Sequence, residues 1–417
     1  MRLIKKPILH IYIMLFFVTL ALTPVAWCYE EIGLDEALAQ FYQNNFDIVA
    51  SKYDIDKAYA DYVTAKLLPN PNLTVNYNNL AMSRWRTNRW DNTQLTVRVD
   101  QLIETGGKRA LRTGAAAETL EAMRIFHKDV IRNLLIGFYN LFYNLNFDDL
   151  SIEFARSELV RYDRLLHVAE KRFSTGFLSL IDYTKLKIAR IELENNVTSL
   201  STQWANDIDS FSLLLGSDAR YKPAKVYAQD RYPVLKEADL ISVANENRHD
   251  LLSLQRQRKS AEHNLALGKA YRIPDFSIGG EYDSTGNPAT SGVGMGISIP
   301  IPVFNRYQGE IAKRTAELHQ IDVQLAKTKR RIASDVHLAL NNYTAAVKVF
   351  ESYRDNKEQM DTLMRNSEKA FSLGGITVLE LLDTQKTYRD FIAKYHQVLI
   401  QSVLNKDLIK VYTGEIK

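Results

Sequence analysis

Ten prolines punctuate this 417-residue chain, yet none falls between Pro71 and Pro223 and none after Pro302. An interior proline costs an α-helix about 3 kcal/mol, so these two gaps are where long helices can form. From Gly107 to Arg172 only Gly114 and Gly137 interrupt good helix formers. At 1.5 Å per residue such a stretch is a rod on the order of 100 Å long. A second one runs from Asn305 to Ala370. A rod of that length lacks the neighbouring chain to be buried in a compact domain and has to lie against other long helices. Leu134, Phe138, Leu141, Phe142 and Leu145 recur at the three- and four-residue steps that such packing demands. Helices over 34–68, 178–215, 238–270 and 377–412 supply the partners, stacked end to end in pairs.

The chain is written twice. Phe173-Ser-Thr-Gly176 and Phe371-Ser-Leu-Gly374 are one loop in two copies, each following a long helix. Upstream of the first lie the alternating segments Pro71–Tyr77 and Leu95–Asp100, then Gly106-Gly-Lys-Arg109 opening a helix. Upstream of the second lie Pro274–Gly280, Val293–Ile299 and Asn305-Arg-Tyr-Gln-Gly309. A shared order on this scale predicts a duplicated unit of helix, β-hairpin, long helix, tip loop and helix. The expected boundaries are 29–216 (hairpin 71–104, tip loop 173–178), a linker at 217–236 with Pro223 and Pro233, and 237–417 (hairpin 274–302, tip loop 371–376).

The strands alternate in character. Leu73, Val75 and Tyr77 alternate with Thr74, Asn76 and Asn78, and Leu95, Val97 and Val99 with Thr96, Arg98 and Asp100. Phe276 and Ile278 alternate with Ser277 and Gly279, and in 293–301 every odd position is apolar. Segments of about ten residues with one lipid-like and one water-like face mark outer-membrane barrel strands. Four strands cannot close a barrel, and unpaired edges cost several kcal/mol per group in lipid. Three copies would give twelve strands around one lumen. The connections 81–93, with Trp85, Arg86, Arg89 and Trp90, and 284–291 are expected on the outer side, the two tryptophans either as interfacial anchors or packed within the loop.

The ends and the charge agree with export. Arg2, Lys5 and Lys6 precede an apolar run over 8–22, and Ala26-Trp27-Cys28 offers small residues at a cleavage site, so 1–28 reads as a signal peptide. Trp27 is too bulky to precede a lipidated Cys28. Loss of those three positive charges from a formal net charge of +4 leaves the mature chain near neutral, which argues against nucleic acid as a partner. Cys28 is the single cysteine, so no disulfide or thiolate chemistry is expected. The histidines show no pairing at metal-ligand spacing, and there is no phosphate loop or nucleophile–base motif, so neither a metal site, a cofactor nor an enzyme is expected.

On these residues the chain resembles the TolC family of outer-membrane channel-tunnels over essentially all of its mature length. Gln101–Arg109 and Ile299–Ile311 resemble the branch serving heavy-metal efflux pumps. The resemblance implies a mainly α protein with a transmembrane β-barrel: a homotrimer whose twelve-stranded barrel in outer-membrane lipid continues as a long periplasmic α-helical barrel. It implies a passive exit duct for heavy-metal cations, with tips (Phe173, Ser174, Gly176, Phe371, Ser372, Gly374) that dock a periplasmic membrane-fusion adaptor bound to an inner-membrane RND-type pump. Glu380 and Asp383, three residues apart on one helix, match carboxylates that ring the closed pore, with pKa values raised by mutual repulsion. In the first copy Asp182 matches Glu380, and Lys185 stands where Asp383 does. Ile376 occupies the place of a gate-locking arginine, so the lock must differ. Drugs or secreted proteins as cargo, and a non-channel periplasmic coiled-coil adaptor, are the alternative readings.

Overall fold

The computed structural model describes residues 29–78, 94–227, 231–285 and 290–415. The expected signal peptide and the Trp85 and Trp90 anchors lie outside them. In chain order the elements are β1 (Glu30–Ile32), α1 (Leu34–Asn44), α2 (Phe46–Lys66), β2 (Asn72–Asn78), β3 (Gln94–Ile103), α3 (Lys108–Ser174) and α4 (Leu180–Leu215). Then follow β4 (Tyr221–Pro223), α5 (Glu237–Asn247), α6 (His249–Ala270), β5 (Phe276–Thr285), β6 (Thr290–Ser298), α7 (Gln308–Leu373) and α8 (Val378–Thr413). The proline gaps thus hold single helices of 67 and 66 residues. Among the described residues no helix is long and apolar enough to cross a membrane.

Two compact units form. One takes the chain up to Asn45, Leu141–Tyr227 and Glu368–Leu381, and contains both tip turns. Its helices α3 and α4 meet through Phe142 and Phe211, both buried, with ring centroids 6.0 Å apart. The linker adds β4, which pairs in parallel with β1 through Glu30↔Tyr221 to Ile32↔Pro223. Three-residue strands carry too little pattern to be read from sequence.

The other unit takes Phe46–Asn140, Ala228–Ser367 and Leu382 onward. It holds an antiparallel sheet in the order β2-β3-β5-β6. Leu73 pairs with Val99, Val99 with Gly280 and Gly280 with Met295; the next row on that face runs Val75, Val97, Tyr282, Val293. Because side chains alternate faces, these rows make one apolar face, and it is open: Met295 is 98% and Val293 88% exposed. The opposite face is polar. Arg98 Nε bonds both Asp100 oxygens at 3.0 and 2.8 Å, its Nη1 lies 3.3 Å from Glu281, and the Thr96 hydroxyl bonds Asp283. Beneath them lie glycines: a Cβ at 294 would stand 3.0 Å from the Glu281 carboxylate and one at 296 would stand 3.4 Å from the Arg98 guanidinium. Missing side chains on β6 let the charged groups lie across the sheet.

The helices expected over 34–68 and 238–270 are each broken in two, at Asn45 and at Arg248, for the same tertiary reason. Both breaking residues are buried. Asn45 Nδ2 donates to the Leu214 carbonyl at 2.8 Å. Arg248 Nη1 donates to the Tyr412 carbonyl at 3.2 Å, while its guanidinium holds Asp250 and Asp335. Burial alone would push the Asp250 carboxyl up; the Arg248 guanidinium more than offsets it and holds it below its ordinary value. Gly216 (φ +63°) and Gly414 (φ +81°) end α4 and α8 with their backbones against Asn44 and Asn247, where a side chain would collide.

Candidate tip and pore-gate site

Each tip is one Schellman turn followed by a hydroxyl N-cap, closed into a capping box in the second. In the first, Phe177 N–H donates to the Arg172 carbonyl (2.8 Å) and Gly176 N–H to Phe173 (3.1 Å). In the second, Gly375 N–H donates to Ala370 (2.8 Å) and Gly374 N–H to Phe371 (3.0 Å). These are the six-to-one and five-to-two bonds that satisfy a helix's last carbonyls, and they require a left-handed residue. Gly176 and Gly374 supply it at φ +79° and +83°. The Ser174 and Ser372 hydroxyls turn back onto the carbonyls of Lys171 and Lys369 at 2.8 and 2.7 Å.

The next helices start on the gate-candidate acids themselves. Thr377 Oγ1 accepts from Glu380 N–H at 3.2 Å, and the Glu380 carboxylate accepts from Thr377 N–H at 2.8 Å, a complete capping box. Ser179 Oγ accepts from Asp182 N–H at 3.0 Å, but the shorter Asp182 carboxylate reaches only the Ser179 hydroxyl, at 2.8 Å. The Thr377 backbone N–H and hydroxyl hold the Glu380 carboxyl below its ordinary value. Within the single chain this is opposite to the rise expected of a carboxylate ring, because donors rather than like charges surround it. Asp383 follows one turn on along α8 and is exposed; Lys185 lies 3.6 Å from Asp182.

The aromatic residues of the two loops diverge. Phe173 stacks on Tyr183 (centroids 5.0 Å, interplanar 9°), whereas Phe371 is buried. Over the Phe371 ring lies the Arg172 guanidinium, 5.0 Å from the centroid, and its Nη1 donates to the Phe371 carbonyl at 2.6 Å. A second arginine of α3, Arg161, is 3.2 Å from Glu368 of α7. Burial pushes Glu368 up while Arg161 draws it down. These ties lie beside a cavity of about 180 Å³ lined by Arg161, Arg164, Leu165, Val168, Glu368 and Ser372. Sequence reasoning missed Arg172, although the signal was present: it directly precedes the repeated motif, and Ala370 stands at its place in the second copy. It also missed the apolar surface that the tips display, Phe177, Leu180, Ile181, Leu373 and Leu379, all exposed.

Further along the same unit, Asp148 of α3 is buried near Asp207 of α4, and its Oδ2 has no partner. Burial first, then the bond to and the charge of Asp207, push its carboxyl up to about 7. Among the described residues no group of three or more His, Cys, Asp or Glu could hold a metal ion.

The family profile described as outer membrane efflux protein matches residues 37–217 and 240–399. The cobalt-zinc-cadmium resistance protein CzcC of Cupriavidus metallidurans is 22% identical, over 89% of this chain and 87% of that protein. The pyoverdine export outer membrane protein OpmQ of Pseudomonas aeruginosa is 20% identical over 85% and 79%. Among solved structures, the transmembrane channel CusC superposes with a TM-score of 0.77 at 14% identity, covering 91% of both chains. With duplicated tip turns, paired long helices and a two-faced sheet, this chain belongs to the outer membrane efflux protein family, an efflux component of the outer membrane and not an enzyme.

Proposed function

We propose that this chain is the exit duct of a three-part efflux system, two copies (29–216 and 237–417) of one unit joined by the 217–236 linker. Three chains close a twelve-stranded barrel, and the helices continue it through the periplasm. One observation carries the reading: the four-stranded sheet ends in two free edges, β2 and β6, with an exposed apolar face. Such a sheet is intolerable in lipid unless identical sheets complete it. Since directions alternate across four strands, β6 of one copy meets β2 of the next antiparallel, and the closed ring repeats without a mismatch.

The tip turns meet a periplasmic adaptor bound to an inner-membrane RND-type pump, which supplies the energy. Glu380, Asp383 and Asp182 narrow and charge the entrance. Heavy-metal cations are the cargo, on the similarity to a cobalt-zinc-cadmium resistance protein. The similarity to a pyoverdine exporter favours an organic cargo as the second reading. Deletion of the protein followed by growth on cobalt, zinc, cadmium, copper and a panel of drugs separates the two; sensitivity to drugs alone removes the metal reading. In planar bilayers, Glu380→Gln with Asp383→Asn is expected to raise conductance and lower cation preference. Traces identical to wild type would remove these acids from the entrance.

A further inference from the structure

The two free edges of the sheet end in the same chemistry. Before β2 the chain reads Leu67-Leu-Pro-Asn-Pro71; after β6 it reads Ile299-Pro-Ile-Pro-Val-Phe304. Pro69, Pro71, Pro300 and Pro302 have no N–H to give a ladder. The remaining donors are partly used within the chain: Leu67 N–H bonds the Thr64 carbonyl (3.1 Å) and Val303 N–H the Ile301 carbonyl (2.9 Å). Gln101 Nε2 holds the Pro69 carbonyl at 3.0 Å. Backbone pairing across the edge therefore stops where these segments begin, and contact beyond that point has to be made by side chains.

Those side chains are apolar and uncovered. Phe304 is 94% and Ile301 80% exposed, and Leu67, Leu68, Ile299 and Val303 are exposed too. An apolar cluster of this kind at the foot of a sheet marks a contact surface. The strand directions name its occupant. In an antiparallel pairing of β6 with a neighbour's β2, the segment that follows β6 lies beside the segment that precedes β2.

We infer that Ile299–Phe304 of one copy packs against Leu67–Pro71 of the next, a proline-bounded apolar seam that ends the shared ladder and locks neighbouring copies together below the barrel. The seam rests on the three-copy reading above. It also restricts register: apolar residues are odd-numbered in both β2 and β6, so strand residues that face each other across the boundary are odd with odd or even with even.

The test uses full-length protein extracted in detergent. Leu68→Cys with Phe304→Cys, treated with a short bismaleimide, is expected to give a covalent trimer on denaturing gels, which neither single variant gives. Val75→Cys with Val293→Cys probes the ladder itself. Phe304→Ser, which alters a side chain exposed in the protomer, is expected to lose the heat-resistant trimer at temperatures where wild type keeps it. Cross-linking at 75/293 without any at 68/304, together with an unshifted Phe304→Ser trimer, would overturn the seam and leave the trimer standing. A monomeric mass by light scattering with no cross-link at either pair would overturn the three-copy reading and the seam with it.

Discussion

The two tips share a backbone and differ in what is attached to it. Both have the same pair of Schellman bonds, the same left-handed glycine, the same serine turned onto its own helix and the same hydroxyl opening the next one. Yet the first carries Arg172 where the second has Ala370, and Asp182 with Lys185 where the second has Glu380 with Asp383. The turn is held by what a helix end needs, which is identical in both copies. Charge is free to diverge because it sits on side chains flanking the turn, in the last turn of one helix and the first turns of the next, which take no part in the Schellman bonds.

The helix breaks offer the same contrast and the largest expected effect. Arg248→Ala leaves Asp250 and Asp335 without their buried partner, and its loss is expected to cost about 3–5 kcal/mol. Asn45→Ala removes the neutral bond to the Leu214 carbonyl and no charged partner, and is expected to cost about 1–3 kcal/mol. Denaturant unfolding of both variants measures the gap; equal losses would show that the Arg248 charge network adds nothing beyond the break itself.

At the tips, Gly176→Val and Gly374→Val each force a β-branched residue to positive φ, at a cost of about 1–3 kcal/mol. Thermal melts are expected to shift alike. A larger shift at 374 would measure the Arg172 contact, since the guanidinium lies 3.5 Å from the Cβ position there and none is near 176.

Asp148 has no ionic partner in its pair with Asp207, and its folded-state pKa, about 7, lies above the unfolded carboxylate value. The folded chain then binds the Asp148 proton more tightly, so the contribution of this group to stability is full below about 4 and is lost as pH rises to about 7. Asp148→Asn is expected to flatten that slope and to melt higher than wild type at pH 8. An unchanged slope would place the pH dependence elsewhere. The smallest effect is expected from Ser179→Ala and Thr377→Ala, about 1 kcal/mol each, with Thr377 costing more because its box with Glu380 is complete.

The long helices, the sheet's two faces and the tip glycines were legible because each follows from a local rule: absent proline, period two, a glycine closing a helix. The breaks at Asn45 and Arg248 were not. Each is imposed by a carbonyl about 165 residues away, and nothing in the helical propensity of 34–68 or 238–270 announces it. The capping role of Glu380 was within reach, since Thr377-Val-Leu-Glu380 spells the box, but the acid was read for its charge. Arg172 needed the two copies to be compared for what differs as well as for what repeats.

The glycines of β6 set the character of the sheet's polar face, the face that would line the proposed duct. Arg98 and Glu281 rest on bare backbone, and the guanidinium of Arg98 is bonded to both Glu281 and Asp100. Such a surface behaves as a hard, smooth wall with a fixed net negative charge, one guanidinium against the carboxylates of Asp100, Glu281 and Asp283, rather than a brush of swinging side chains. In the proposed duct a passing cation would meet carboxylates held in place rather than ones that swing to follow it.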